Sequence, residues 1–359
     1  SDDDDPRCET LSNRRMFRNL RVVPEPMRRS SCVLAAAAAA ASSAFSTTKA
    51  FFSGVVRPRR MGALFSSSGP TLSSQRVWVT GASSGLGEAM AYEYAKQKAS
   101  LVLSARRVDK LEEVAATCQE LGAPQCAVVA LDQERLDSER IDEALASFGG
   151  VDVAVINGGV SSRGTALETD LPTLRRVTEI NFLASAEIGR RVAADMKRRG
   201  VPGRLVVVSS VQAFFGLPSR SAYASSKHAL RGYFDALRAE VASDGISVTV
   251  AAPGYVKTEL SRNALKSDGS AYGATDTSTE RGADPAFVAR AILAAADNRR
   301  AETLVVPGLS ATVALFLRAL APSLLFRLMR NRADTELRLS RRKDDLDDDD
   351  GNAAARKDQ

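Results

Sequence analysis

The chain contains a single histidine, so its candidates for proton transfer lie elsewhere. Foremost are a phenol and an ammonium four residues apart, Tyr223 and Lys227 in "YASSK". In a helix, residues at i and i+4 stand one above the other on the same face. A neighbouring positive charge favours the ionised phenol, whose ordinary pKa is about 10. Such a pair could exchange a proton near neutral pH without an imidazole. By itself a Tyr–Lys pair at this spacing is equally the exposed face of a helix, and its meaning depends on what else the chain carries.

One such feature is "TGASSGLG" (80–87), which follows the β-branched run "RVWVT" and opens a helical stretch. Gly81, Gly85 and Gly87 permit a tight turn and close backbone approach, and a helix amino terminus favours an anion. With Ser83, Ser84 and Leu86 between them, they are candidate contacts for a dinucleotide. The spacing departs from the ordinary G-x-G-x-x-G. Where the second strand ends, "LVLSARR" offers Arg106 and Arg107 and no carboxylate. A guanidinium suits a ribose 2′-phosphate, whereas a carboxylate would suit a free 2′-hydroxyl, so NADP(H) is expected rather than NAD(H).

These residues need a scaffold, and the chain between 75 and 308 supplies its rhythm. Apolar runs at 76–80, 101–104, 126–132, 151–157, 203–210, 246–254 and 302–308 predict strands. Helical stretches separate them, including 85–98, 109–121, a long helix opening near Pro172, 221–243 and 285–296. Short apolar strands alternating with helices indicate a parallel sheet covered on both faces. With right-handed crossovers this is an α/β fold, a doubly wound parallel sheet of Rossmann type, with ligands at the carboxyl ends of its strands.

With 359 residues, 44% of them apolar, the chain can bury a full core. The net charge of +6 combines a basic amino-terminal third with an acidic tail, which argues against a nucleic-acid partner. Cys8, Cys32, Cys118 and Cys126 form no C-x-x-C pair and read as reduced thiols. No metal site is expected, and His228 reads as an ordinary helix residue beside Lys227.

Residues 1–26 read as a disordered or non-native leader. From Met27 to Val79 there is no Asp or Glu while Arg, Ser and Ala abound, so 27–74 reads as a targeting segment. It resembles the signal-plus-transit leader of algae with complex plastids, with a cut before Phe45; a mitochondrial presequence or a signal anchor of the endoplasmic reticulum are the alternatives. After Gly308, "LSATVALFLRALAPSLLFRLM" is apolar but interrupted by Arg318, Pro322 and Arg327, too broken for a span. Three readings stand for this 309–330 extension: a helix packed on the domain, a membrane-surface helix, or a face for a partner. The charged stretch 331–359 reads as a disordered tail.

T-G-x-x-x-G-x-G followed by Y-x-x-x-K about 140 residues later resembles the short-chain dehydrogenase/reductase family, from about Gln75 to Met329. The resemblance implies further roles. Asp132 in "ALDQ" would approach the adenine. "INGGV" stands where the family has N-N-A-G, so Asn157 keeps the second Asn while Gly158 replaces Ala. Asn181 in "EINFLAS" would hold a proton relay behind Lys227. Ser210, thirteen residues before Tyr223, would hydrogen-bond the substrate carbonyl. Pro253 and Gly254, with Val256 and Thr258, would lie beside the nicotinamide. Tyr223 would donate the proton, and Lys227 would lower the phenol's pKa and bind the nicotinamide ribose.

The carboxy-terminal third is similar to the dehydrogenase/reductase member 7 branch, especially 7B. That similarity implies a membrane-associated reductase of lipid-like carbonyls: steroid, retinoid, or acyl- or alkyl-dihydroxyacetone phosphate. The rivals are a reductase of 3-ketoacyl thioesters and a cofactor-binding scaffold with little turnover. A wide apolar cleft between 255–283 and the last helix is the shape expected for a lipid substrate, and a homo-oligomer pairing the helices of Asn181 and Tyr223 is expected.

Overall fold

A computed structural model describes residues 75–305 and 309–335. The leader, the targeting segment, its cut before Phe45 and the tail beyond 335 lie outside the described residues.

β1 (Arg76–Thr80), β2 (Ser100–Ala105), β3 (Cys126–Ala130), β4 (Val153–Ile156), β5 (Gly203–Val208), β6 (Ile246–Pro253) and β7 (Glu302–Val305) form one sheet. Its order is β3-β2-β1-β4-β5-β6-β7, and every pairing is parallel. Consecutive strands cannot pair in parallel without a crossover, so helices must cover both faces. These are α1 (Gly85–Lys96), α2 (Val108–Glu120), α3 (Ser138–Ala146), α4 (Leu171–Thr178), α5 (Ala184–Arg199), α6 (Ser221–Glu240), the short α7 (Thr277–Glu280) and α8 (Pro285–Asp297). The doubly wound fold expected from the alternation is present.

Covering on both faces is written into the strands. All of "VAVI" in β4 is buried, and two apolar clusters form, one on each side of the sheet. Val79, Met90, Leu103 and Ile292 belong to the first, and Trp78, Ile156, Ile188 and Phe234 to the second. Trp78, fully buried, satisfies its indole N–H on Ser104 Oγ at 2.9 Å. Helix starts follow local chemistry: Asp170 accepts from Thr173 N at 2.7 Å, with Pro172 in the first turn as the sequence suggests. Asp284 caps α8 in the same way through Ala286 N. α5 stops at Gly200, whose φ of +65° is the left-handed end that glycine takes without strain.

The long helix expected from Pro172 is interrupted. α4 and α5 are joined by a π-helical turn, Glu179–Leu183, which carries Asn181. π turns insert a residue into the helical ladder and concentrate at functional sites. The extension also differs from a single helix. α9 (Leu309–Leu320) breaks at Ala321, and α10 (322–335) begins at Pro322, where a proline's missing N–H costs nothing. α10 runs past 330 to 335, into the stretch expected to be a disordered tail. Ala314 and Leu325 are buried against Val211 and Phe215, with Leu315, Leu317 and Met329 alongside. Val313, Leu320, Leu324, Phe326 and Leu328 are exposed. One face of the extension is thus packed on the domain and the other is exposed. No helix among the described residues is long and apolar enough to cross a membrane.

α5 packs on α6 at Gly189, where an added Cβ would lie 2.5 Å from the Phe234 ring and 3.2 Å from Ile156 Cδ1. Alanine raises helix propensity by roughly 1 kcal/mol, but overpacking a core costs about 1–3 kcal/mol. Phe234 is fully buried and has no room to retreat, so packing wins. Gly189→Ala is expected to lower stability by about 1–2 kcal/mol, read as a lower urea midpoint with unchanged m value.

Candidate active site

The cleft opens where the connections leaving the paired strands β1 and β4 part, at the carboxyl ends of the strands, and has a volume of ≈490 Å³. Its first wall is the glycine turn between β1 and α1. Gly81 sits at φ +64° and Gly85 at +65°, a region closed to most side chains. A Cβ on Gly87 would fall 2.2 Å from Gly81 O and 2.6 Å from Asn157 Nδ2. Gly87 does not line the cleft; having no side chain, it lets helix and turn touch. Asn157 braces the turn from β4, its Nδ2 donating to Thr80 O and Gly81 O at 3.3 Å each. The cradle is open to a phosphate group, with Ser83, Ser84, Gly85 and Leu86 on its rim. Arg107, at the start of α2, leans onto it, Nη2 donating to Ser84 Oγ at 3.1 Å and Ser83 Oγ at 3.3 Å. Arg106 and Asp132 line the same end.

Gly158 explains the departure from the family motif. A Cβ there would lie 1.5 Å from Gln133 Oε1, and Gln133 is buried with Nε2 donating to Ile180 O at 3.2 Å. The methyl group of the family's alanine has been exchanged for an amide reaching over from the β3 side.

The proton-transfer group lies deeper. Tyr223 and Lys227 stand one turn apart on α6, both buried, with Lys227 Nζ 5.8 Å from the Tyr223 ring centroid. Lys227 Nζ donates to Val208 O at the end of β5, at 3.1 Å. Burial pushes the ammonium down from 10.5 to about 8. The phenol moves the other way: burial raises it, while a hydrogen bond with Ser210 and the charge of Arg220 pull it back. The lowering of the phenol by Lys227, expected from their spacing, is not what this arrangement produces. Both groups sit in the same low-dielectric floor, and desolvation is the largest cause of each shift.

Asn181 is fully buried and, like Gly87, does not line the cleft. The π turn aims it at the loop after β4: Oδ1 accepts from Val160 N at 2.8 Å, and Nδ2 donates to Val160 O at 2.9 Å and Ser226 Oγ at 3.0 Å. It ties loop, π turn and α6 together behind Lys227. Ser210 starts the turn after β5, its Oγ accepting from Gln212 N at 3.2 Å. Pro253, Gly254, Val256 and Thr258 line the cleft after β6, with Thr258 packed on Gly85.

The outer wall is made by residues for which the sequence held no signal. Arg163 and Arg220 line the cleft with Val211, Gln212, Leu217, Tyr255 and Leu260. Arginines beside turns are usually solvated, and only the folding of 255–283 against 161–164 brings these two inward. That loop is sewn down by Arg163 N donating to Leu265 O at 2.7 Å and Leu265 N donating to Ser161 O at 3.0 Å. The extension does not line the cleft. It packs on the 211–217 segment, so the last helix is not a wall of this cleft. Among the described residues no cluster of ligands could hold a metal.

The short chain dehydrogenase family model matches 75–269. A dehydrogenase/reductase SDR family member 7B of Danio rerio is 40% identical over 274 residues, covering 74% of this chain and 87% of its own. A family protein 7-like of Anopheles gambiae is 40% identical over 269 residues, 73% of this chain and 84% of its own. Among solved structures, an alcohol dehydrogenase from Thermococcus sibiricus complexed with 5-hydroxy-NADP is 25% identical with a TM-score of 0.55. It is matched over 96% of its length and 65% of this chain.

Lys227 has a measurable consequence for stability. Between about pH 8 and 10.5 the unfolded chain binds a proton that the folded chain has released. The destabilisation is therefore fully present below about pH 8 and fades as pH rises toward 10.5. At ~1.4 kcal/mol per pH unit, the buried charge costs on the order of 3 kcal/mol, partly offset by its bond to Val208 O, worth about 1 kcal/mol. Lys227→Met should unfold at higher urea than the parent at pH 7, by about 1–2 kcal/mol, and lose that advantage by pH 10.

Proposed function

The chain belongs to the short-chain dehydrogenase/reductase family, in its member 7 and 7B branch, and from that premise we propose an NADP(H)-dependent reductase of carbonyls on lipid-like molecules, acting in reverse as an alcohol dehydrogenase. The oxidoreductase class follows from membership. One observation carries the cofactor preference: Arg106 and Arg107 line the cleft where β2 ends, and Arg107 is already bonded to the glycine turn. Two guanidiniums at that position favour a 2′-phosphate.

The glycine turn, Asp132 and the residues after β6 would hold the dinucleotide, which when bound supplies or accepts the hydride. The chain's own groups handle the oxygen. Ser210 Oγ and the Tyr223 hydroxyl share a hydrogen bond and would converge on the carbonyl oxygen. A phenol held above its ordinary pKa stays protonated at neutral pH, and so can donate as negative charge develops on that oxygen. Lys227, with its pKa near 8, can take up and release a proton beneath it, and Asn181 keeps Val160 and α6 in register around it.

The lipid-like substrate is supported by the apolar part of the wall, Val211, Leu217, Tyr255 and Leu260, and by the exposed apolar face of the extension. Leu320, Leu324, Phe326 and Leu328 are flanked by exposed Arg318, Arg327 and Arg330, a combination suited to an anionic membrane surface. We also assign to 27–74 the role of an organelle or endoplasmic-reticulum address, and to exposed Leu171, Leu174 and Leu183 a place in a homo-oligomer.

NADPH oxidation with a panel of ketones, ketosteroids and acyl-carrier thioesters tests the central reading. Tyr223→Phe should lower turnover at least about a hundredfold, and Arg106→Ala with Arg107→Ala should weaken NADPH about tenfold or more with little change for NADH. Confinement of activity to thioesters would instead make this a 3-ketoacyl reductase, and an inert protein that binds NADPH would be a scaffold. For the membrane surface, the parent should co-sediment with anionic liposomes, and Leu320→Ser with Phe326→Ser should release it. Equal sedimentation of the two proteins would remove that surface from the proposal.

A further inference from the structure

The chain turns sharply after β3. Arg135 N donates to Asp132 O at 3.2 Å, and Glu134 N donates to Asp132 Oδ1 at 3.0 Å. The turn sends the Gln133 side chain inward, where it is buried and forms part of the cleft wall. A buried amide must spend its donors on something. Here Nε2 donates to Ile180 O at 3.2 Å and to Ser185 Oγ at 3.5 Å. Ile180 precedes Asn181 inside the π turn, and Ser185 lies in the first turn of α5. A π turn breaks the regular helical ladder, so a donor from outside steadies it where it is weakest. The next residue grips the same region: Glu134 Oε2 accepts from Arg176 Nε at 2.9 Å, near the end of α4.

Two adjacent glycines connect that amide to the proton-transfer group. The three atoms nearest to a Cβ on Gly158 would all belong to Gln133, with Oε1 at 1.5 Å. A Cβ on Gly159 would lie 2.9 Å from Asn181 Oδ1 and 3.6 Å from Lys227 Nζ. The loop after β4 is therefore pressed against the Gln133 amide at one residue and against Asn181 and Lys227 at the next. The contacts close on themselves. Gln133 holds Ile180, Asn181 holds Val160 by both its N–H and its carbonyl, and Gly159 and Gly158 lead back to Gln133.

Resting on the reductase reading above, we propose that Gln133 is a positioning residue for the proton-transfer group. Its amide, seated in the space that Gly158 leaves, fixes the π turn and, through Asn181, the floor that holds Lys227 beneath Tyr223. Gly158 is the other half of the device, since any side chain there would displace the amide.

Gln133→Met keeps the volume of the side chain and removes the donor to Ile180 O, so the variant should fold. Lysines labelled with carbon-13 at Cε report the titration of Lys227 in the full chain without any substrate. The resonance is identified by its loss in Lys227→Met. In the parent it should titrate near pH 8. In Gln133→Met a slackened floor admits water, and the midpoint should rise toward the ordinary lysine value by at least about half a pH unit. With a ketone that the parent reduces, kcat should fall about tenfold while the Kd for NADPH changes less than about twofold. Gly158→Ala should move both readings the same way. Gln133→Ala with Gly158→Ala, in which the methyl group has room, should do no more than Gln133→Ala alone. Titration and kcat at parent values with only a lower urea midpoint would make Gln133 a packing residue and overturn the proposal. So would a loss confined to NADPH affinity, or losses that multiply in the double variant. If the parent reduces no ketone, the reductase reading fails, and the Lys227 titration still decides whether Gln133 positions the group.

Discussion

An ammonium group carried into an apolar interior is the constraint around which this molecule is arranged. Lys227 is 4% exposed, and water no longer pays for its charge. Its position is maintained by its own helix, α6, and by the end of β5 through Val208 O. The π turn contributes through Asn181 and Ser226. Ser226 Oγ in turn donates to Tyr223 O at 2.8 Å, so the pieces that confine the lysine also fix the tyrosine. A depressed lysine and a raised tyrosine one turn apart are the expected result of a shared dry floor, in which each charged form is disfavoured separately.

The parallel sheet makes that floor available. All seven carboxyl ends lie along one edge, and the order reverses between β1 and β4, so adjacent connections run to opposite faces and leave a crevice. The glycine turn fills one side of it and the loops after β4 and β5 the other. Gln133 and Gly158 show how tightly the intervening wall is packed: the amide of one occupies the space the other lacks a methyl group to fill. The 255–283 loop and the carboxy-terminal extension are secondary layers. The loop closes the cleft by hydrogen bonds and the Arg163–Asp276–Arg220 cluster. The extension supports 211–217 from outside through Ala314 and Leu325.

Much of this was legible in the sequence, because local chemistry and short periods carry it. Strand after strand of apolar, β-branched residues separated by helical stretches can be buried only as a parallel sheet with two covered faces. Pro172 marks a helix start by a rule that operates within a few residues. Gly81 and Gly85 reveal a turn because no other residue takes their backbone conformation cheaply, and the i,i+4 spacing of Tyr223 and Lys227 is a property of any helix. What only the tertiary structure decided depends on contacts across long separations. Gly87 and Asn181 stand in the motifs but behind the cleft. The extension's apolar residues divide into a packed face and an exposed one. Arg163 and Arg220 turn inward because Asp276, 113 and 56 residues away, draws them there. The direction of the Tyr223 shift was likewise beyond the sequence, since spacing specifies how near two charges lie but not how much water each has lost.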